Sequence, residues 1–384
     1  MDFSFTPDQQ LVKNSARAFL DEHCQPAVVR ALMDDPRGES EAMWKDIAQL
    51  GWLGLPLPEP YGGSGLGMVE TALILEEMGR AAYPGPFFST LLAAFAVLEA
   101  GTPEQKEQWL PAIAAGDARA TVALLDAELD WDPNAVAARA ERRSGGWSIS
   151  GLKRIVPWAH VANMLVVPAR IAERRSSGRA EGQRDALALF LVDASAPGLK
   201  LTPLTAIDMA TRWVSVRFES VPVTPDAMLG EPGQAVAILE ALLRRGAVGA
   251  AAEMLGAARR CLDMSVAYAK VREQFGQPIG SFQAIRHKCA EMLVEVENSH
   301  AATYYAAWAL DARAPDAEVA ASVAKAYVGE ASRKVCGEAI QVHGGIGFTW
   351  EYDLHLYFKR AKGLEALYGD ADYHRELIAR LVTR

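Results

Sequence analysis

The sequence predicts a mostly helical protein with a small antiparallel β domain in its middle. Apolar residues recur at three- and four-residue spacing up to about Asp117 and again after Pro225, the period of helices with one buried face. Between these regions lie five short runs rich in β-branched and aromatic residues, separated by turn residues, which is how the strands of a compact sheet read. Three domains are therefore expected, at residues 1–118 (helical), 119–228 (β) and 229–384 (a helical bundle).

The chain has 384 residues, half of them apolar and 23% charged, enough to bury a large core in more than one domain. A net charge of −9 argues against nucleic acid as the main partner. Cys24, Cys261, Cys289 and Cys336 show no CxxC or Cys/His spacing, so neither a zinc site nor a disulfide framework is expected. The N-terminus lacks a basic-then-apolar signal pattern and no apolar run is long enough for a membrane span, so a cytoplasmic location is expected.

In the first region, Thr6-Pro7-Asp8 can cap a helix carrying Leu11, Val12, Ala16 and Leu20. Trp44, Ile47, Leu50 and Leu53 continue the helical spacing, and three prolines with Gly62-Gly63-Ser64-Gly65 then impose an irregular loop. The segment 71–80 reads as a helix with Ile74, Leu75 and Met78 inward and Glu76-Glu77 outward. Ser89 to Ala100 reads as a buried helix, and Thr102-Pro103-Glu104-Gln105 as a cap and helix start. The predicted strands are 121–125, 147–150, 164–167, 186–192 and 213–218, with the polar stretch 174–184 as a hairpin loop. A long Ala-rich helix over 235–262 and further bundle helices over 301–310 and 317–343 complete the pattern, their small residues permitting close packing.

Chemistry concentrates in two glycine-containing stretches. In Tyr268–Met292, Arg272 ends a helix, Gly276-Gln277-Pro278-Ile279-Gly280 forms a turn, and Ser281 can cap the next helix. A permanent guanidinium at a helix boundary, with Phe275 and Gln283 close by, suits a phosphate-bearing ligand, although such an Arg is also an ordinary solvated residue. The second cluster, around Gly344, Gly345 and Gly347, follows a helix rather than a strand and so is not a dinucleotide-fold fingerprint. Its glycines can end the helix and let backbone N–H groups approach a ligand, with Gln341 beside them, or can form a simple helix cap. His343 is isolated and reads as structural.

Taken together, YAKVREQFGQPIGSFQAI, EAIQVHGGIGFTWEYDLHLYFKRAK, PLPEPYGGSGLG, GWSISGLK and VSVRFESVPV cover nearly the whole chain in order and spacing. They resemble the flavin-dependent acyl-CoA dehydrogenases. The resemblance implies an N-terminal helical domain, a middle β domain and a C-terminal four-helix domain, with FAD in a cleft and two subunits cooperating at each flavin. It places Arg272, Gln274, Phe275, Gln283, Gln341, Gly344 and Gly345 against the adenosine diphosphate half of FAD. It further implies α-proton removal by a carboxylate and hydride transfer to flavin, giving a trans-2-enoyl-CoA, with an electron-transfer flavoprotein as acceptor. A homodimer, a homotetramer or a heterotetramer with a second dehydrogenase subunit would fit.

The sequence departs from that pattern at the base. Alignment through Lys359-Arg360-Ala361-Lys362 puts Tyr368 where the usual Glu stands, followed by Gly369 and Asp370, and the alternative base position is Gly246. Asp370 and Glu253 are the local carboxylates that could serve instead; Glu253 lies seven residues after Gly246, on the same helix face. The run that usually sits against the flavin ring is here Ile155-Val156-Pro157, with Trp158 next, and proline carries no hydroxyl for a bond to the flavin. The loop preceding it reads Leu125 to Pro133 without its usual motif. Three expectations follow: a dehydrogenase with a relocated base, a partner subunit that completes another subunit's site, or a flavin-free or acyl-CoA-binding relative.

Overall fold

The computed structural model describes residues 5–171 and 186–383; the expected hairpin loop over 174–184 lies outside them. Six helices come first: α1 (Pro7–His23), α2 (Pro26–Asp34), α3 (Glu41–Gln49), α4 (Met68–Ala81), α5 (Phe87–Ala100) and α6 (Pro103–Ala114). Thr6 with Gln9, and Thr102 with Gln105, form capping boxes that satisfy the first free N–H groups of α1 and α6. Helix α5 is buried along most of its length.

Helix α4 departs from the expected outward placement of its paired glutamates. Glu76 and Glu77 do not face solvent; each is 1% exposed. Glu76 receives Lys13 Nζ at 2.5 Å, the Tyr304 hydroxyl at 2.6 Å and Arg259 Nε at 3.2 Å, and Glu77 receives Arg17 at 2.7 Å. Other helices cover α4 on both sides, so its polar face is lined with cations instead of water. Burial pushes the Glu76 carboxyl up, but Lys13, Tyr304 and Arg259 together hold it below its ordinary value.

The middle of the chain forms a sheet from β1 (Ala120–Val122), β2 (Arg139–Arg143), β3 (Gly146–Pro157), β4 (Met164–Ile171), β5 (Ala186–Asp193), β6 (Leu199–Leu204), β7 (Trp213–Val223) and β8 (Met228–Leu229). The order is β6-β7-β3-β2-β4-β5-β8, with β1 also on β4. Most pairings are antiparallel as expected, but β1 and β2 both run parallel to β4, so the sheet is mixed. β2, β6 and β8 escaped the sequence reading because they are short or largely exposed, without the alternation that marks a half-buried strand. The inward faces build a second core around Ile149, Phe190 and Val216.

The C-terminal region begins with the 37-residue α7 (Ala235–Val271). A two-residue hairpin follows, β9 (Glu273–Gln274) and β10 (Gln277–Pro278), turning through Phe275 and Gly276 at φ 53° and 77°, the left-handed pair that a tight hairpin needs. Then come α8 (Gln283–Asp311), α9 (Ala317–His343), α10 (Leu354–Ala366) and α11 (Ala371–Val382). Ser281 does not cap α8: a turn of 3₁₀ helix draws its hydroxyl back to donate to Pro278 O, and Phe282 takes the cap position. Helix α4 crosses α7 at near contact. A Cβ at Gly79 would lie 1.9 Å from Glu253 O, so only glycine allows that crossing. The ends of α7 and α9 meet where Tyr268 stacks on His343, ring centroids 4.4 Å apart.

Candidate active site

Helix α7 carries Gly246, Ala250 and Glu253 at i, i+4 and i+7, one stripe of the helix. Tyr368 arrives from the segment after α10 and lays its ring on Gly246; a Cβ there would fall 2.7 Å from the ring. The two positions at which the resemblance places a base are thus neighbours in space, and here an aromatic ring fills both.

Tyr368 is 4% exposed and sits at φ 59°. Its carbonyl lies 2.9 Å from His374 Nε2, while the buried Lys325 donates to the carbonyls of Glu365 and Gly369 at 2.8 and 2.7 Å. Burial pulls His374 down to about 4 and Lys325 down to about 7. The neutral imidazole therefore donates from Nε2 to Tyr368 O.

The opposite wall comes from the sheet. Pro157, Trp158, Thr211 and Trp213 close a cavity of about 50 Å³ together with Tyr83, Phe87, Phe88, Glu253, Arg360 and Tyr368. Ile155 and Trp158 both have positive φ, 53° and 55°, where β3 loses register with β7 between Lys153 and Val156. A β-branched residue pays for that conformation in strain, and such positions gather at ligand sites. Larger spaces flank the small one. One of about 350 Å³ is lined by Trp131, Ile155, Asp208, Trp213 and Leu367, and another of about 360 Å³ by Arg244, Glu318, Tyr368 and His374 among others. Tyr368 therefore stands between the inner cavity and the polar outer one.

The electrostatic centre is Arg360, 2% exposed. Its Nε donates to Asp208 Oδ2 at 2.5 Å, Nη1 to Glu253 Oε2 at 3.2 Å, and Nη2 to Tyr83 O at 3.1 Å. Burial raises the Glu253 carboxyl above its ordinary value; Arg360 offsets part of this and Asp208 adds to it. Asp370 lies elsewhere: it is exposed, and its carboxylate accepts Tyr373 N at 2.9 Å as the cap of α11.

The other predicted residues collect at the far end of the bundle. The Tyr268–His343 stack brings the Arg272 hairpin and the Gly344 turn to one end. Arg272, Gln274, Phe275, Gln283, Gln341, Gly344 and Gly345 are all exposed, Phe275 at 91%. A Cβ at Gly344 or Gly345 would meet nothing within 4 Å, so the backbone there is open to close approach. Arg272 enters no ion pair among the described residues, leaving its fork available for phosphate. An exposed guanidinium fork beside open glycine backbone has the chemistry that a phosphate requires. From Glu253 to Arg272 the chain advances nineteen residues, roughly 28 Å at ~1.5 Å per residue.

Sequence reasoning missed Arg360, Asp208, Lys325 and His374. Arg360 had a readable signal, since it lies on the apolar stripe of α10 with Leu356, Tyr357, Ala361 and Leu364, all buried. Asp208 had none.

Residues 6–117 match the model of the acyl-CoA dehydrogenase N-terminal domain and residues 234–383 that of the acyl-CoA dehydrogenase C-terminal domain. The chain belongs to the acyl-CoA dehydrogenases, a family of FAD-binding oxidoreductases. It is 32% identical to the acyl-CoA dehydrogenase IpdE2 of Mycolicibacterium smegmatis, covering 97% of each chain. Among solved structures, butyryl-CoA dehydrogenase from Megasphaera elsdenii superposes with a TM-score of 0.91 at 26% identity over the whole of both chains. A chain of the ChsE4-ChsE5 complex from Mycobacterium tuberculosis superposes with a TM-score of 0.88 at 28% identity, covering 100% of this chain and 99% of that one. Among the described residues, no helix is long and apolar enough to cross a membrane, and no cluster of three or more His, Cys, Asp or Glu could hold a metal ion.

Proposed function

We propose that the chain is a FAD-dependent dehydrogenase that converts an acyl-CoA thioester to its trans-2-enoyl-CoA, with Glu253 as the base. The observation that carries this is the single carboxylate in the wall of the inner cavity, Glu253, half-buried, raised in proton affinity by desolvation and sharing that wall with Trp158 at its positive φ. An α-C–H is a weak acid, and a desolvated carboxylate is a stronger base than one in water. Bound FAD would supply the acceptor for the β-hydride. The chain's own part is to hold the thioester between Tyr368 and Trp158, keep water out with Phe87, Phe88 and Trp213, and take the α-proton on a Glu253 oxygen.

Arg272, Gln274, Phe275, Gln283, Gln341, Gly344 and Gly345 would hold the adenosine diphosphate portion. Their distance along α7 from Glu253 favours their serving a neighbouring subunit's flavin, in a homo- or hetero-oligomer. Electrons would pass on to an electron-transfer flavoprotein.

The test is the visible spectrum of the protein purified alone, with FAD counted per chain, followed by anaerobic addition of a series of acyl-CoA thioesters. About one FAD per chain, bleached by at least one thioester in the wild type and by none in Glu253→Gln, supports the reading. Flavin bleaching that survives in Glu253→Gln removes Glu253 as base. Flavin gained only on coexpression with a second dehydrogenase subunit assigns the chain to a shared site.

A further inference from the structure

Arg360 is one cation placed between two carboxylates that it does not treat alike. Asp208 Oδ2 takes Nε at 2.5 Å and the Thr211 hydroxyl at 2.8 Å, while its Oδ1 takes Ala210 N at 3.0 Å. Three donors converge on it. Glu253 has a single contact with the same guanidinium, at 3.2 Å. Nη2 is committed to the Ala82 and Tyr83 carbonyls. Four of the five guanidinium N–H groups are thus used, and its charge is already matched by Asp208. With both carboxylates ionised the trio carries one net negative charge; with one proton on Glu253 it is neutral.

We infer that Asp208 and Arg360 are positioning residues that set the base strength of Glu253, with Asp208 competing for the guanidinium and so holding Glu253 ready to accept one proton. The inference rests on the reading of Glu253 as base. In the step it would serve, the substrate α-C–H bond breaks, its proton goes to Glu253 and its electron pair forms the new C=C; bound FAD would supply the acceptor for the β-hydride, and the proton would later pass to solvent.

The other groups facing Glu253 do not supply this effect. α4, α5 and the segments between and before them offer Leu75, Met78, Tyr83, Phe87, Phe88 and Ser89 to the cavity, with no charge. Tyr368 and Tyr83 are phenols raised above their ordinary values by burial, so both are neutral and serve only as dipoles. Cys24, beside Arg360, is a buried thiol pushed up to about 12. Lys359 and Arg212 lie near Asp208 rather than Glu253. Among the described residues, Asp208 is the one further anion acting on the carboxylate.

The test is an infrared pH titration of the protonated-carboxyl band in the purified protein, assigned by its loss in Glu253→Gln, alongside the pH profile of flavin bleaching. In the wild type the band should titrate above the usual ~4.3 of a glutamic acid. In Asp208→Asn the guanidinium turns wholly to Glu253 and a nearby anion is lost, so the titration and the bleaching profile should both move down by about one pH unit. A wild-type band at or below the ordinary value overturns the inference, and this arm needs no variant to fold. So does an Asp208→Asn band that does not move. If Glu253→Gln still bleaches while the band shifts as stated, the trio stands and the assignment of Glu253 as base falls. If Glu253→Gln is inactive and Asp208→Asn changes nothing, the base stands and the positioning pair falls.

Discussion

The ring of Tyr368 rests on Gly246 so closely that no side chain could stand between them: a Cβ at 246 would lie 2.7 Å from Cδ1. The bulky residue and the missing one are complementary, which ties together two changes 122 positions apart in the chain. The space that a carboxylate would occupy from either position belongs to the phenol.

Gly246→Ala should destabilise the protein by about 1–3 kcal/mol through overpacking, despite the better helix propensity of alanine. Tyr368→Ala should cost stability by leaving a cavity. The double variant should be more stable than the two losses summed, because each change removes the other's clash or void. Urea denaturation of the four proteins measures the coupling; simple additivity would show that the ring moves aside at no cost.

Glu76 gives a pH prediction with a definite sign. Its carboxyl is held below its ordinary value when folded, so its contribution to stability is present above the unfolded value and lost as pH falls through the folded one. Acid unfolding of Glu76→Gln should therefore be less steep below about pH 4.5. At neutral pH the variant should be weaker by about 3–5 kcal/mol, since Lys13 and Arg259 lose a buried partner. Equal acid slopes in the two proteins would place the proton uptake elsewhere.

Lys325 runs the opposite way. Burial lowers it from its ordinary value to about 7, so between pH 7 and its unfolded value of about 10.4 the unfolded chain binds the extra proton and folding becomes more favourable as pH rises. Relative to Lys325→Met, the wild type should gain stability across that interval. Parallel stability curves from pH 7 to about 10 would show that the ammonium stays charged in the fold.

Arg272→Met removes an exposed guanidinium and touches no core residue. The folded chain should keep its melting temperature without flavin, yet bind FAD about ten- to a hundredfold more weakly, the loss of a charge-assisted bond. Equilibrium dialysis with FAD reads this directly. Unchanged affinity would take Arg272 out of the cofactor site.

Local patterns carry far in this chain. The caps at Thr6 and Thr102 and the helix 317–343 follow from residues near one another in sequence, and so do the five main strands; the break at Gly276–Gly280 was legible too, although the hairpin turns one residue earlier, at Phe275-Gly276. Local sterics and hydrogen bonding decide such features, and the same is true of the open glycine turn at 344–345. The outward placement of Glu76-Glu77 failed because helix periodicity reports an amphipathic face, not what covers it. Only the tertiary structure supplies Lys13, Tyr304 and Arg259, from helices far along the chain.

The site divides in the same way. The family, the absence of a carboxylate at 368 and 246, and Glu253 on the stripe with Gly246 are legible in the amino-acid order alone. Tertiary structure alone decided that Asp370 turns to cap its own helix and that Tyr368 fills Gly246. It also decided that Asp208 and Arg360, 152 residues apart, meet beside Glu253. Charge–charge coupling depends on distance and burial, and neither exists until the helices and the sheet close on one another.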